Sequence, residues 1–123
     1  MKRILSLVLC LLILFSLMPN AKANMLLTAC GDAFIEVMTE RYGEADMLEA
    51  KDTFPDTIIV AYNYEKQYIL IFYAGMHYGW LLDSVIDVIA VQVAMEEVVE
   101  GLGLEDNVFI MSSDDLLEIL ENL

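Results

Sequence analysis

The chain has 123 residues, 20 acidic against 6 basic side chains for a net charge of −14, 59% hydrophobic content, two cysteines and one histidine. That length holds one ordinary domain once any targeting segment is set aside. The composition excludes a zinc-finger array and a scaffold stapled by several disulfides. The charge argues against nucleic-acid binding, which needs clustered Lys and Arg to replace phosphate counterions.

Lys2 and Arg3 precede an apolar run from Ile4 to Met18. As a helix that run spans roughly 22 Å, short of the ~30 Å hydrocarbon core. Pro19 and Asn20 then interrupt it, and Ala21-Lys22-Ala23 has the small-x-small pattern of a signal-peptidase site. The segment 1–23 therefore predicts a secretory signal peptide, leaving 24–123 as a single small acidic domain of an exported protein, periplasmic, envelope-bound or secreted. Cleavage there leaves three basic against 20 acidic side chains, a net charge of −17. Such a surface repels anionic lipid and nucleic acid and favours solubility, cations or a basic partner.

Cys10 departs with the signal, so Cys30 cannot form an intramolecular disulfide in the mature chain. Leu27-Thr28-Ala29-Cys30 resembles a bacterial lipobox, which would make Cys30 the acylated N-terminus of a lipid-anchored protein. Residues Pro19 to Asn24, with the charged Lys22, separate the apolar run from that tetrad, whereas a lipoprotein signal runs directly into its box.

Gly31-Asp32 opens a segment with Phe34, Val37, Met38 and Tyr42 at helical spacing, closing at Gly43. Glu44 to Asp52 is polar and reads as a loop or a further helical turn. After Pro55 the period changes. Thr57–Asn63 and Gln67–Ala74, rich in Ile, Val, Tyr and Phe, flank Tyr64-Glu65-Lys66 and predict a β-hairpin. Both faces of each strand are apolar, the mark of a sheet covered on both sides.

Gly75 and Gly79 punctuate the following stretch. Leu81 to Glu100 predicts a long helix ended by Gly101 and Gly103, with strand an alternative for its β-branched first half. Asp83, Asp87 and Gln92 within this apolar stretch oppose a membrane span, since one central Asp costs roughly 2.5–3.5 kcal/mol on insertion. Asn107–Met111 reads as a short strand and Asp114–Asn122 as a final helix, with Ser112 and Asp115 at capping-box spacing. The fold class is α+β: a small sheet built on the hairpin plus one further strand, packed by helices in the order α-β-β-α-β-α. The long helix would carry a right-handed crossover from the hairpin's second strand to the third strand if those two are parallel.

The sharpest chemical constellation is Cys30 with His77. A thiol at a helix N-terminus is activated by the macrodipole, His77 follows the hairpin, and Asp83 could orient its ring. This order of elements resembles papain-like amidases and peptidases of bacterial envelopes, and implies a cysteine-dependent amidase or peptidase. No flanking motif accompanies it, and the many surrounding acids oppose thiolate formation. Zinc lacks a ligand set, with one Cys and one His. Glu96-Glu97, Glu105-Asp106 and Asp114-Asp115 allow weak divalent-cation binding, though no calcium loop is present.

Residues 62–80 hold seven of the eleven aromatics downstream of Ala23. Tyr64, Tyr78 and Trp80 lie near predicted element ends and are the candidate binding residues. The leading expectation is a non-catalytic exported module that binds a protein or envelope component, with no cofactor.

Overall fold

A computed structural model describes residues 23–49 and 57–122. The predicted signal peptide falls, but for Ala23, outside the described residues. Those residues form three helices and one mixed five-stranded sheet. In chain order the elements are α1 (Ala23–Tyr42), β1 (Asp46–Glu49), β2 (Ile58–Asn63), β3 (Tyr68–Tyr73), β4 (Met76–Leu81), α2 (Val85–Leu102), β5 (Val108–Ser112) and α3 (Ser113–Glu121). The strands lie in the order β1-β4-β3-β2-β5.

The expected hairpin is β2 with β3, antiparallel and registered with Val60 opposite Ile71. Its turn is closed by Asn63, whose Oδ1 accepts the Lys66 N–H at 2.7 Å. The α+β class and the rough element order hold, but the sheet is larger than a hairpin plus one strand. Ala74 and Gly75, both at positive φ, turn the chain straight back into β4, which pairs antiparallel with β3. That pair of left-handed residues is the geometry of a tight hairpin turn whose twist matches its strands. The polar stretch after Gly43 supplies β1, paired antiparallel with β4.

The extra strand also corrects the crossover. β5 is parallel to β2, and β3 is antiparallel to β2. The connection through α2 therefore leaves from β4, not from β3, and joins two parallel strands. Ser84 caps α2, accepting the Asp87 N–H at 3.2 Å, and Gly103 at φ 68° closes it. The helix thus starts four residues later than Leu81, which belongs to β4.

The α1 helix begins well before Gly31. A glycine inside a helix is unfavourable by about 1 kcal/mol relative to alanine, and here the reason is packing. The Tyr73 ring lies against Gly31, and the Tyr73 hydroxyl donates toward Asp32 Oδ1 at 2.9 Å and Thr28 O at 3.1 Å.

One sheet face carries Ile58, Val60, Ile69, Ile71, Trp80 and Val108 into the main core, against Leu27, Cys30, Phe34 and Met38 of α1 and Val88, Val91, Met95 and Val98 of α2. The opposite face is covered differently. Leu116 and Leu120 of α3 pack on Ile59, Ala61, Leu70, Phe72 and Met111. Ser112 caps this helix by accepting the Asp115 N–H at 3.2 Å, and Asn63 Nδ2 donates to Ser113 Oγ at 2.9 Å. With only nine residues, α3 reaches β2 and β5, and among the described residues nothing covers β1 and β4 on that face. The sheet expected to be covered on both sides is therefore, among the described residues, open on one face over β1 and β4.

Candidate functional site

Cys30 lies in the interior of α1, not at its start, and is fully buried in the main core. Without solvent or a cation to stabilise a thiolate, burial pushes its thiol up to about 12. The helix-terminus argument for an activated nucleophile therefore loses its premise.

His77 is registered opposite Phe72, and the two rings sit 4.0 Å apart between centroids. Phe72 belongs to the cluster beneath α3, whereas Cys30 belongs to the core beneath α1 and α2. The sheet separates the sulfur from the imidazole. Asp83 joins neither. It lies beyond the end of β4, and His77 is already four residue steps, about 13 Å, from Leu81 at that end. Its charge is instead felt at the Tyr42 hydroxyl. Burial raises the Tyr42 pKa, Arg41 opposes that shift, and Asp87 and Asp83 add to it.

The three aromatic candidates also part company. Trp80 is buried in the core, its Nε1–H donating to Gly43 O at 2.9 Å. Tyr78 is half-buried beside it, the two rings stacked at 6.3 Å. Only Tyr64 is exposed. It stacks on Tyr62 at 4.8 Å and its hydroxyl donates to Gln92 Oε1.

What sequence reasoning missed is the open half of the sheet. Between β1, β4 and β3 lies a hollow of about 290 Å³, lined by Asp46, Leu48, Tyr68, Leu70, His77 and Leu81 among others. Gly79 makes the room: a Cβ there would stand 3.1 Å from Leu70 Cδ2. Leu48 and Leu81, 67% and 75% exposed, form its rim with the Asp46 carboxylate. The signal was present in the alternation of Met76-His77-Tyr78-Gly79-Trp80-Leu81, which sends Tyr78 and Trp80 inward and His77, Gly79 and Leu81 to this face.

The hollow is small for a cofactor, and its walls offer more apolar surface than polar groups. Among the described residues no group of three or more His, Cys, Asp or Glu side chains could hold a metal ion. The acidic pairs considered for calcium do not converge on such a group. Among the same residues no helix is long and apolar enough to cross a membrane. Comparison of the chain with known protein families, characterised proteins and solved structures finds no match in any of the three.

Proposed function

We propose that this protein is an exported acidic module that binds another protein through the open half of its sheet. The observation that carries this reading is the pair Leu48 and Leu81, held exposed on either side of a concave, His77-containing hollow. A large apolar side chain left in water forgoes roughly 1.5–3 kcal/mol of burial, and two on one concave surface mark an interaction site more than a packing accident. The partner chemistry follows from charge. With Asp46 at the rim and three basic against 20 acidic side chains once residues 1–23 are removed, the surface suits a segment that inserts one apolar side chain and flanks it with Lys or Arg.

Export rests on the N-terminal grammar. The burial of Cys30 supports cleavage after Ala23 over acylation at Cys30. An acylated cysteine would become the chain terminus, would lose Leu27 from the core, and would have to leave its own buried place.

Site-specific photo-crosslinking in the native host tests the proposal. A benzophenone side chain at Leu81 is expected to trap a discrete protein partner, whereas one at Ile86, equally exposed on the outer side of α2, is not. Trapping at Ile86 and not at Leu81 would overturn it.

A further inference from the structure

The two edges of the sheet are protected unequally. β1 is four residues long and bracketed by Asp46 and Glu49, charges that discourage a further strand from adding. β5 is the other edge, and its sequence Val-Phe-Ile-Met-Ser contains neither a charge nor a proline. Among the described residues no strand lies beyond it.

Its backbone is arranged to receive one. Ile58 N–H donates to Asn107 O at 2.9 Å, which sets the phase of the parallel ladder with β2. Asn107, Phe109 and Met111 therefore turn their peptide groups toward β2, and Ile110 between them turns its N–H and C=O to the open edge.

Beside that edge, between β5 and α2, runs a groove of about 420 Å³ with a floor of Val99, Val108 and Ile110 and a rim of Glu96, Glu100 and Glu105. Glu96 and Glu100 are one helical turn apart on α2, so they project to the same side. Glu96 is held by Gln92 Nε2 at 3.0 Å, and Gln92 in turn receives the Tyr64 hydroxyl. On the other face of the same edge Phe109 is 42% exposed beside the half-buried Met111.

We infer that β5 is a docking edge for an extended segment of a basic partner protein, which adds as a sixth strand and sets alternate Lys or Arg side chains against Glu96, Glu100 and Glu105. The alternation follows from the pleat. Side chains on the Val108 and Ile110 side meet the carboxylates, and those on the Phe109 and Met111 side meet apolar surface. A second copy of this chain is a poor occupant, because edge-to-edge pairing would bring two glutamate rims together. This surface is distinct from the hollow beneath Leu48 and Leu81, and its failure would leave that proposal standing.

The test uses the ¹⁵N-labelled protein, as its host exports it, and three capped peptides. One alternates Lys and Val over eight residues. A second has the same composition with the lysines in one block. The third is the alternating peptide with every amide N-methylated, which has no N–H left to donate and cannot complete a ladder. The alternating peptide is expected to bind at least tenfold more tightly than either control, shifting the amide resonances of Val108 to Ser112 and of Glu96 and Glu100. The triple variant Glu96→Gln, Glu100→Gln, Glu105→Gln should lose at least tenfold of that affinity while its unbound spectrum stays folded. If the variant does not fold, the N-methyl comparison on the unaltered protein decides alone. Equal affinity for the three peptides would overturn the inference. So would shifts confined to Leu48, His77 and Leu81, or a β5-paired dimer in the absence of peptide.

Discussion

The ring of Tyr73 occupies the place a side chain at Gly31 would need. A Cβ at Gly31 would come within 2.4 Å of Tyr73 Cε1, closer than any real contact, so the helix carries a glycine where it would otherwise favour alanine. The contact ties the first half of α1 to the end of β3, and the Tyr73 hydroxyl extends it to Asp32. Burial and that hydrogen bond push the Tyr73 hydroxyl up to about 12.

Gly31→Ala should therefore destabilise the protein despite improving helix propensity. The propensity gain is up to about 1 kcal/mol, and forcing the ring aside costs about 1–3 kcal/mol. A net loss of about 1–2 kcal/mol is expected from urea unfolding. In a Tyr73→Ala background the same substitution should be neutral or stabilising. A Gly31→Ala protein more stable than the parent would show that the ring yields freely.

Cys30 predicts a specific alkaline weakness. An unfolded thiol titrates at about 8.5, whereas burial holds Cys30 at about 12. Between those values the folded chain keeps a proton that the unfolded chain has released. The contribution is therefore fully present below about pH 8.5 and is lost as pH rises toward 12, by roughly 1.4 kcal/mol per pH unit. From pH 8 to 10, before the tyrosines contribute strongly, the parent should lose about 2 kcal/mol that Cys30→Ala does not lose. Native Cys30 should also resist iodoacetamide until the chain unfolds. Equal pH slopes for the two proteins, or rapid labelling of the folded one, would place the thiol in a different environment.

The excess of 20 acidic over 6 basic side chains predicts a salt response. Diffuse repulsion is screened over about 8 Å at 0.15 M ionic strength, so sodium chloride should raise the melting temperature. Since no metal-holding group exists among the described residues, calcium chloride should do no more than sodium chloride at equal ionic strength. A melting temperature indifferent to sodium chloride would mean the acidic surface is not under strain.

Much of the fold could be read from the chain because local and tertiary preferences agree there. The β2–β3 hairpin has β-branched and aromatic residues bounded by a polar turn, and Ser112 announces α3 by the cap it forms with Asp115 N–H. Where tertiary packing overrides local preference, reading failed. Gly31 looks like a helix boundary and is a helix interior, because only Tyr73 explains it. β4 was hidden by its turn, where Ala74 adopts a positive φ usually marked by Asn or Gly. β1 was hidden by its two flanking acids, which protect an edge and resemble a loop.

The candidate site was less legible than the fold, for a related reason. Cys30, His77 and Asp83 form a plausible set only while their faces are unknown, and β4 decides those faces. Trp80 and Tyr78 turn inward with the same alternation that turns His77, Gly79 and Leu81 outward. The short length of α3, which exposes the hollow, has meaning only once the width of the sheet is known.

Whether the hollow is the binding surface is read directly from the affinity of the partner trapped at Leu81 for two matched variants, Leu81→Asp and Ile86→Asp. The parent side chains are 75% and 72% exposed, so neither change should alter the fold. One lies on the rim of the hollow and the other on the outer side of α2. Leu81→Asp is expected to weaken binding at least tenfold, about 1.4 kcal/mol, while Ile86→Asp leaves it unchanged. Equal affinities for the two variants, or a loss only with Ile86→Asp, would contradict it.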